Sequence, residues 1–239
     1  MTSLQAISAL DRLLQGDATV FHEDAVLGFA TPEDDLRASG SLARGRDEIA
    51  AAPVLRGGGH ALVRVGGGRE VFAEGRVGQA SFVASLRLDG EGLIERGLWL
   101  SSAAAEPSPT WTGAPGADAD AQVILDRYFA HLEAAGFEEA AACFSEDCVY
   151  LHPPYGRGGE RVAFHGRDEL LHSWRTVRGQ TASRHVVTAS AQRGADCIIE
   201  GVVEGIPNGG SFLSSLSLAP DGLIRRYAAW YAAMRVETR

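Results

Sequence analysis

Along the chain the apolar residues change rhythm in a set order, and the order occurs twice. Near the start, Leu4, Ile7, Leu10 and Leu14 recur at helical spacing, which predicts an amphipathic helix. A second stripe, Val123, Leu125, Tyr128, Phe129 and Leu132, predicts a helix beginning near Ala119 and stopping near Gly136. A short helix over Phe137–Cys143 follows, then a strand around Cys148–His152 closed by Pro153-Pro154, which cannot donate to a ladder. A third helix is expected over about Arg167–Val177. Four strand-like runs finish the sequence: Ser183–Ala191, Cys197–Gly205, Ser211–Leu218 and Leu223–Trp230, separated by Gly, Pro, Asn or Asp turns. Helices followed by antiparallel strands make an α+β pattern. A curved antiparallel sheet wrapped around its helices leaves a pocket at the open end.

The second half restates the first. Phe21 in Phe-His-Glu-Asp-Ala-Val recurs as Phe144 in Phe-Ser-Glu-Asp-Cys-Val, and Gly45-Arg-Asp-Glu-Ile49 as Gly166-Arg-Asp-Glu-Leu170. His60 is matched with His185, Glu74-Gly75 with Glu200-Gly201, Ser81-Phe82 with Ser211-Phe212 and Gly92-Leu-Ile94 with Gly222-Leu-Ile224. Anchors that keep their order while the offset drifts by a few residues are what a duplicated domain with small loop insertions gives. The boundaries follow: a first domain over 1–103, a Pro/Gly-rich linker over 104–119 and a second domain over 120–239.

Composition narrows the function classes. With 45% hydrophobic and 22% charged residues in 239, the chain reads as a soluble globular protein. Its charge is −9, and all 22 basic residues are Arg. Without a basic cluster, nucleic acid and anionic membrane are not expected partners. No run reaches the ~18 apolar residues of a membrane span. Cys143, Cys148 and Cys197 are odd in number and form no Cys-x-x-Cys pair, which suits reduced thiols in a cytoplasm. The start of the chain does not read as a signal peptide. The scattered histidines do not suggest a metal site, and the Gly-Gly-Gly runs lack phosphate-loop context, so no cofactor is expected.

The stretch from Arg127 through Tyr-Phe-Ala-His-Leu-Glu to Val149-Tyr-Leu-His-Pro153, with the Gly166–Leu170 helix start and the closing Asp221-Gly-Leu-Ile-Arg-Arg-Tyr227, resembles nuclear transport factor 2-like folds. These include ketosteroid isomerase, scytalone dehydratase, limonene epoxide hydrolase and the SnoaL-like polyketide cyclases. The resemblance covers 120–236 and, more faintly, 3–100. It implies two tandem cone-shaped, cystatin-like domains and a hydrophobic small-molecule substrate, handled by isomerisation, dehydration or cyclisation. It also implies pairing through the open face of the sheet, within the chain or in a homodimer. A non-catalytic binding or assembly protein stands as the alternative.

By the same resemblance to ketosteroid isomerase, Tyr128 falls at the phenol donor, His152 at the base and Ser214 at the second donor, with His and Ser in place of carboxylates. These three are the candidate catalytic residues. Alternation along the strand puts Cys148, Tyr150 and His152 on one face. Tyr150, Cys148, His185 and Trp230 are the expected substrate contacts. His185 also resembles the central-strand histidine of scytalone dehydratase, but its match with His60 favours a structural role. His131 and Glu133 are read as solvated helix positions. The anchors place Gln5, Phe29 and Ala84 in the first copy where Tyr128, His152 and Ser214 stand in the second, so the first site is expected to be degenerate.

Overall fold

The computed structural model describes residues 3–31, 40–55, 59–78, 80–102, 119–153, 162–179, 181–205 and 209–236. The expected linker lies outside them except for Ala119. The first half runs α1 (Ser3–Leu14), β1 (Phe21–Ala30), β2 (Ser41–Arg44), α2 (Arg46–Ala50), β3 (Gly59–Gly67), β4 (Glu70–Val77), β5 (Ala80–Leu88) and β6 (Ile94–Ser102). The second runs α3 (Ala121–Glu133), α4 (Phe137–Ala141), β7 (Phe144–His152), β8 (Val162–His165), α5 (Arg167–Ser173), β9 (Arg184–Arg193), β10 (Asp196–Glu204), β11 (Ser211–Leu218) and β12 (Ile224–Ala232).

Each half is a six-stranded sheet with the same order, β2-β1-β6-β5-β4-β3 and β8-β7-β12-β11-β10-β9. The sheets are mixed where a wholly antiparallel sheet was expected, because β1 pairs β6 and β7 pairs β12 in parallel. Strands joined by hairpins must run antiparallel, whereas the first and last long strands are separated by the rest of the domain and are free to align. The four-residue strands β2 and β8 were not anticipated, since so short a run carries no readable alternation.

The repeated Gly-Arg-Asp-Glu has a local cause. Gly45 and Gly166 turn the chain from strand to helix at φ +77° and +85°, a region that favours glycine. The next residue reaches back: Arg46 Nε donates to Phe21 O at 3.0 Å, and Arg167 Nε to Phe144 O at 2.9 Å. Glu48 and Glu169 accept the N–H of Arg44 and His165 at 2.9 and 2.7 Å, tying each helix start to the strand before it.

Period-2 burial sorts the strands. Phe144, Cys148, Tyr150, Ile199, Phe212 and Tyr227 turn inward with Leu125, Phe129 and Leu132 of α3. The first half has its own interior of Leu10, Leu13, Leu27, Phe82 and Trp99. A third apolar layer draws on both halves: Val65, Phe72, Leu98 and Leu100 pack with Ile198, Leu213, Ala228 and Trp230. The outer faces of the sheets therefore meet each other.

Candidate functional site

The second half encloses a cavity of about 540 Å³. Three elements supply the candidate catalytic groups to its wall. Tyr128 comes from α3, His152 from the end of β7 and Ser214 from β11. Tyr150, His185 and Trp230 border it as well, Trp230 while packed mainly in the layer between the sheets. Cys148 does not. It lies deeper on the same strand face, beyond Tyr150, and burial pushes its thiol up to about 11.

The hydroxyl groups form two pairs. Tyr128 and Tyr150 share a hydrogen bond of 3.0 Å, and Tyr227 donates to Ser214 Oγ at 2.9 Å. In each pair one hydroxyl accepts and keeps its own proton to give away. Burial raises the Tyr128 phenol well above its usual pKa, reinforced by the neighbouring Tyr150 and Tyr227, and burial raises Tyr227 too. Both are neutral donors near pH 7. Tyr227, Tyr150 and His152 stack in succession, with ring centroids 5.1 and 5.9 Å apart and planes within about 12°. In the sequence Tyr227 reads only as part of the closing hairpin and not as a site residue, although the parallel register sets it beside Tyr150.

Two imidazoles face the cavity, each with Nδ1 against an oxygen. His152 Nδ1 lies 2.6 Å from Pro153 O. His185 Nδ1 lies 3.2 Å from Glu133 Oε1, which also accepts the His185 backbone N–H at 2.5 Å. Donation from Nδ1 fixes the tautomer that carries its basic lone pair on Nε2. The His185 ring also lies flat on Phe129, centroids 4.7 Å apart at 4°. Glu133, read as solvated, is thus an orienting group. Burial would raise its pKa, but the hydrogen bonds from His185 outweigh that and hold it below the usual value.

The register overturns the match between His60 and His185. Gly75 pairs Ala61, and Gly201 pairs Val187; one residue back, His60 stands opposite Arg76 where Val186 stands opposite Val202. The counterpart of His185 is Gly59, opposite Val77 as His185 is opposite Val203. His60 is exposed. The inference that His185 is structural because it is shared loses its ground.

Gln5 is likewise not the counterpart of Tyr128, being exposed where Tyr128 is buried. Leu10-Asp-Arg12 repeats as Leu125-Asp-Arg127, which sets buried Leu13 at that place. The offset differs because the second half inserts α4 between its first helix and first strand.

In the first half a tryptophan packs into the interior at the place of Ala229. Ala84 pairs Trp99 where Ser214 pairs Ala229. Trp99 stacks on Phe82 at 4.2 Å beside buried Phe29, whereas Ala229 borders the cavity.

Residues 125–233 match the family model of the SnoaL-like domain. No curated protein matches the sequence. Among solved structures, a candidate ketosteroid isomerase from Kribbella flavida is 22% identical over 50% of this chain and 83% of its own, with a TM-score of 0.39. A cystatin-like-fold protein of unknown function from Methylobium petroleophilum is 23% identical over 50% and 80%, TM-score 0.40. A candidate polyketide cyclase from Sinorhizobium meliloti is 18% identical over 46% and 98%, TM-score 0.37.

Proposed function

We propose that the chain, whose residues 125–233 match the family model of the SnoaL-like domain, is a cofactor-free acid/base enzyme working in the cavity of its second half. The substrate is a hydrophobic, polyketide- or terpenoid-like small molecule, and the reaction an isomerisation, dehydration or cyclisation. The observation that carries this reading is the pair of imidazoles in one cavity, His152 and His185, each with Nδ1 engaged by an oxygen. In this reading His152 Nε2 takes a proton from the substrate. The Tyr128–Tyr150 pair and the Tyr227-polarised hydroxyl of Ser214 meet the oxygen on which charge develops. His185, oriented by Glu133, returns the proton or holds the leaving hydroxyl. The buried thiols and acidic balance suit a cytoplasmic setting.

Deuterium incorporation α to the carbonyl of 2-tetralone in D₂O, followed by proton NMR, tests the chemistry without knowledge of the natural substrate. The wild-type protein is expected to accelerate exchange, and His152→Gln to lower that acceleration by about 10²-fold. Exchange at the buffer rate, or unchanged in the variant, would remove the enzyme reading.

A second reading is a non-catalytic binding protein whose halves form an internal pseudo-dimer. Support for it comes from the shared apolar layer and from Tyr128 and Ser214 being only 1% and 0% exposed. Binding of 2-tetralone without exchange would favour it.

A further inference from the structure

Among the described residues that border the cavity, Arg178 is the one permanent ion, and no Asp or Glu is among them. Its position comes from an irregular helix end. After Ser173 the helix widens into a π turn, Trp174–Arg178, closed by the Gly179 N–H donating to Trp174 O at 3.0 Å. Such turns insert one residue into the helical repeat and re-aim the side chains that follow. Trp174 is held beneath the site by stacking on Tyr128 at 5.8 Å, which anchors the turn.

Arg178 is half-buried, and among the described residues no carboxylate forms an ion pair with it. Its Nη2 donates to Ser183 Oγ at 3.1 Å and its Nη1 to Gly179 O at 3.3 Å. The Ser183 hydroxyl is also 2.7 Å from Thr181 Oγ1. Arg178, Thr181 and Ser183 all border the cavity, so a cation and two hydroxyl groups stand together on the segment before β9. Taking a guanidinium partly out of water without a counter-charge is costly, and the charge is retained in a chain of net charge −9. A ligand that supplies the missing negative charge recovers that cost.

We propose that the cavity selects small aromatic or alicyclic molecules bearing a carboxylate, which Arg178 binds with Thr181 and Ser183 while the apolar body lies along Phe129, Leu132, Val203 and Phe212. The inference rests on the cavity being a ligand site and names the class of ligand. A guanidinium presents two parallel donors that match a carboxylate, and the hydroxyls offer further donors to the same oxygens. The field of Arg178 reaches inward as far as Tyr128, where it opposes the effect of burial on the phenol. A carboxylate placed here leaves the rest of the ligand to extend toward the imidazoles.

The test uses a matched pair of probes, 2-naphthoic acid and 2-naphthamide, titrated calorimetrically into the full chain. Wild type is expected to bind the acid roughly tenfold or more tightly than the amide, a preference that shrinks as salt rises. Arg178→Gln is expected to lose the preference while keeping its affinity for the amide, which also reports that the variant is folded. Arg178→Lys should keep part of it. Ala229→Trp, which puts an indole at the cavity border in the place Trp99 holds in the first half, is expected to bind neither. Equal binding of both probes by wild type, with both blocked in Ala229→Trp, would overturn the carboxylate inference and leave the pocket reading standing. Binding of neither probe by wild type, or binding undiminished in Ala229→Trp, would overturn both.

Discussion

Arg226 reaches from β12 of the second half to Glu74 in β4 of the first, Nη2 to Oε1 at 2.5 Å, and both side chains are almost wholly buried. Ser215 joins them, donating to Glu74 Oε2 at 2.7 Å and accepting from Arg226 Nη1 at 2.9 Å. The counterparts do the reverse. Arg96, which pairs Val26 as Arg226 pairs Val149, reaches from the first half to Glu200, the counterpart of Glu74. The two ion pairs thus repeat one contact in opposite directions between the halves.

A buried pair of this kind is far more costly to halve than to remove. Arg226→Met takes the buried Glu74 carboxylate's guanidinium partner away and is expected to lower stability by about 3–5 kcal/mol. Replacing both, Arg226→Met with Glu74→Leu, is expected to recover most of that loss. Urea unfolding midpoints of the two variants check it. A single variant as stable as wild type would show that the ion pair does not fix how the sheets meet.

Trp99 and Ala229 occupy one place in two copies of the fold, the first buried in its interior and the second bordering the cavity. Trp99→Ala is expected to cost about 3–5 kcal/mol, because a fully buried indole leaves a cavity its neighbours cannot close. Ala229→Trp is expected to fold while abolishing exchange of 2-tetralone. Thermal unfolding and the NMR exchange assay measure the two effects. A fully active Ala229→Trp would place the chemistry outside this cavity.

The duplicated α+β plan was legible because its signals are local. Glycine turns, helix stripes and the Gly-Arg-Asp-Glu motif each do their work within a few residues of themselves. The resemblance to ketosteroid isomerase is what places Tyr128, His152 and Ser214 together, and strand alternation adds only that Cys148, Tyr150 and His152 share a face. What could not be read depends on pairing. A one-residue register difference separates His60 from the place of His185, and only the β3–β4 and β9–β10 ladders reveal it. Glu133 and Tyr227 gain their roles from partners 52 and 13 residues away. The signal for Tyr128's true counterpart, the repeated Leu-Asp-Arg, was present in the sequence but hidden by the inserted α4. Arg178 depends on a π turn, which leaves no mark in a pattern of apolar residues.

The three cysteines are buried and free, and burial raises all their thiols, Cys148 to about 11 and Cys197 to about 12. Thiolate is the reacting form, so neither access nor ionisation favours modification near pH 8. Ellman's reagent is therefore expected to titrate none of them in the native chain and all three after guanidinium unfolding. A cysteine that reacts rapidly in the native protein would indicate local opening of the second half's interior.

Glu133 ties stability to pH on the acid side. Its folded pKa is lowered from the ordinary 4.5, because hydrogen bonds from the His185 ring and backbone outweigh the opposing effect of burial. A depressed carboxyl pKa means that the unfolded chain binds this proton more readily. The stability it contributes is therefore fully present above the unfolded value and is lost as pH falls through the folded one. Glu133→Gln keeps an acceptor for the His185 N–H but removes the charge. Wild type is expected to be the more stable of the two above about pH 4.5, and the margin should close progressively in more acid solution. Urea unfolding of both proteins across this range measures the gap. A gap that persists unchanged to about pH 2 would show that Glu133 acts by packing alone, and the orientation of His185 would then need another cause.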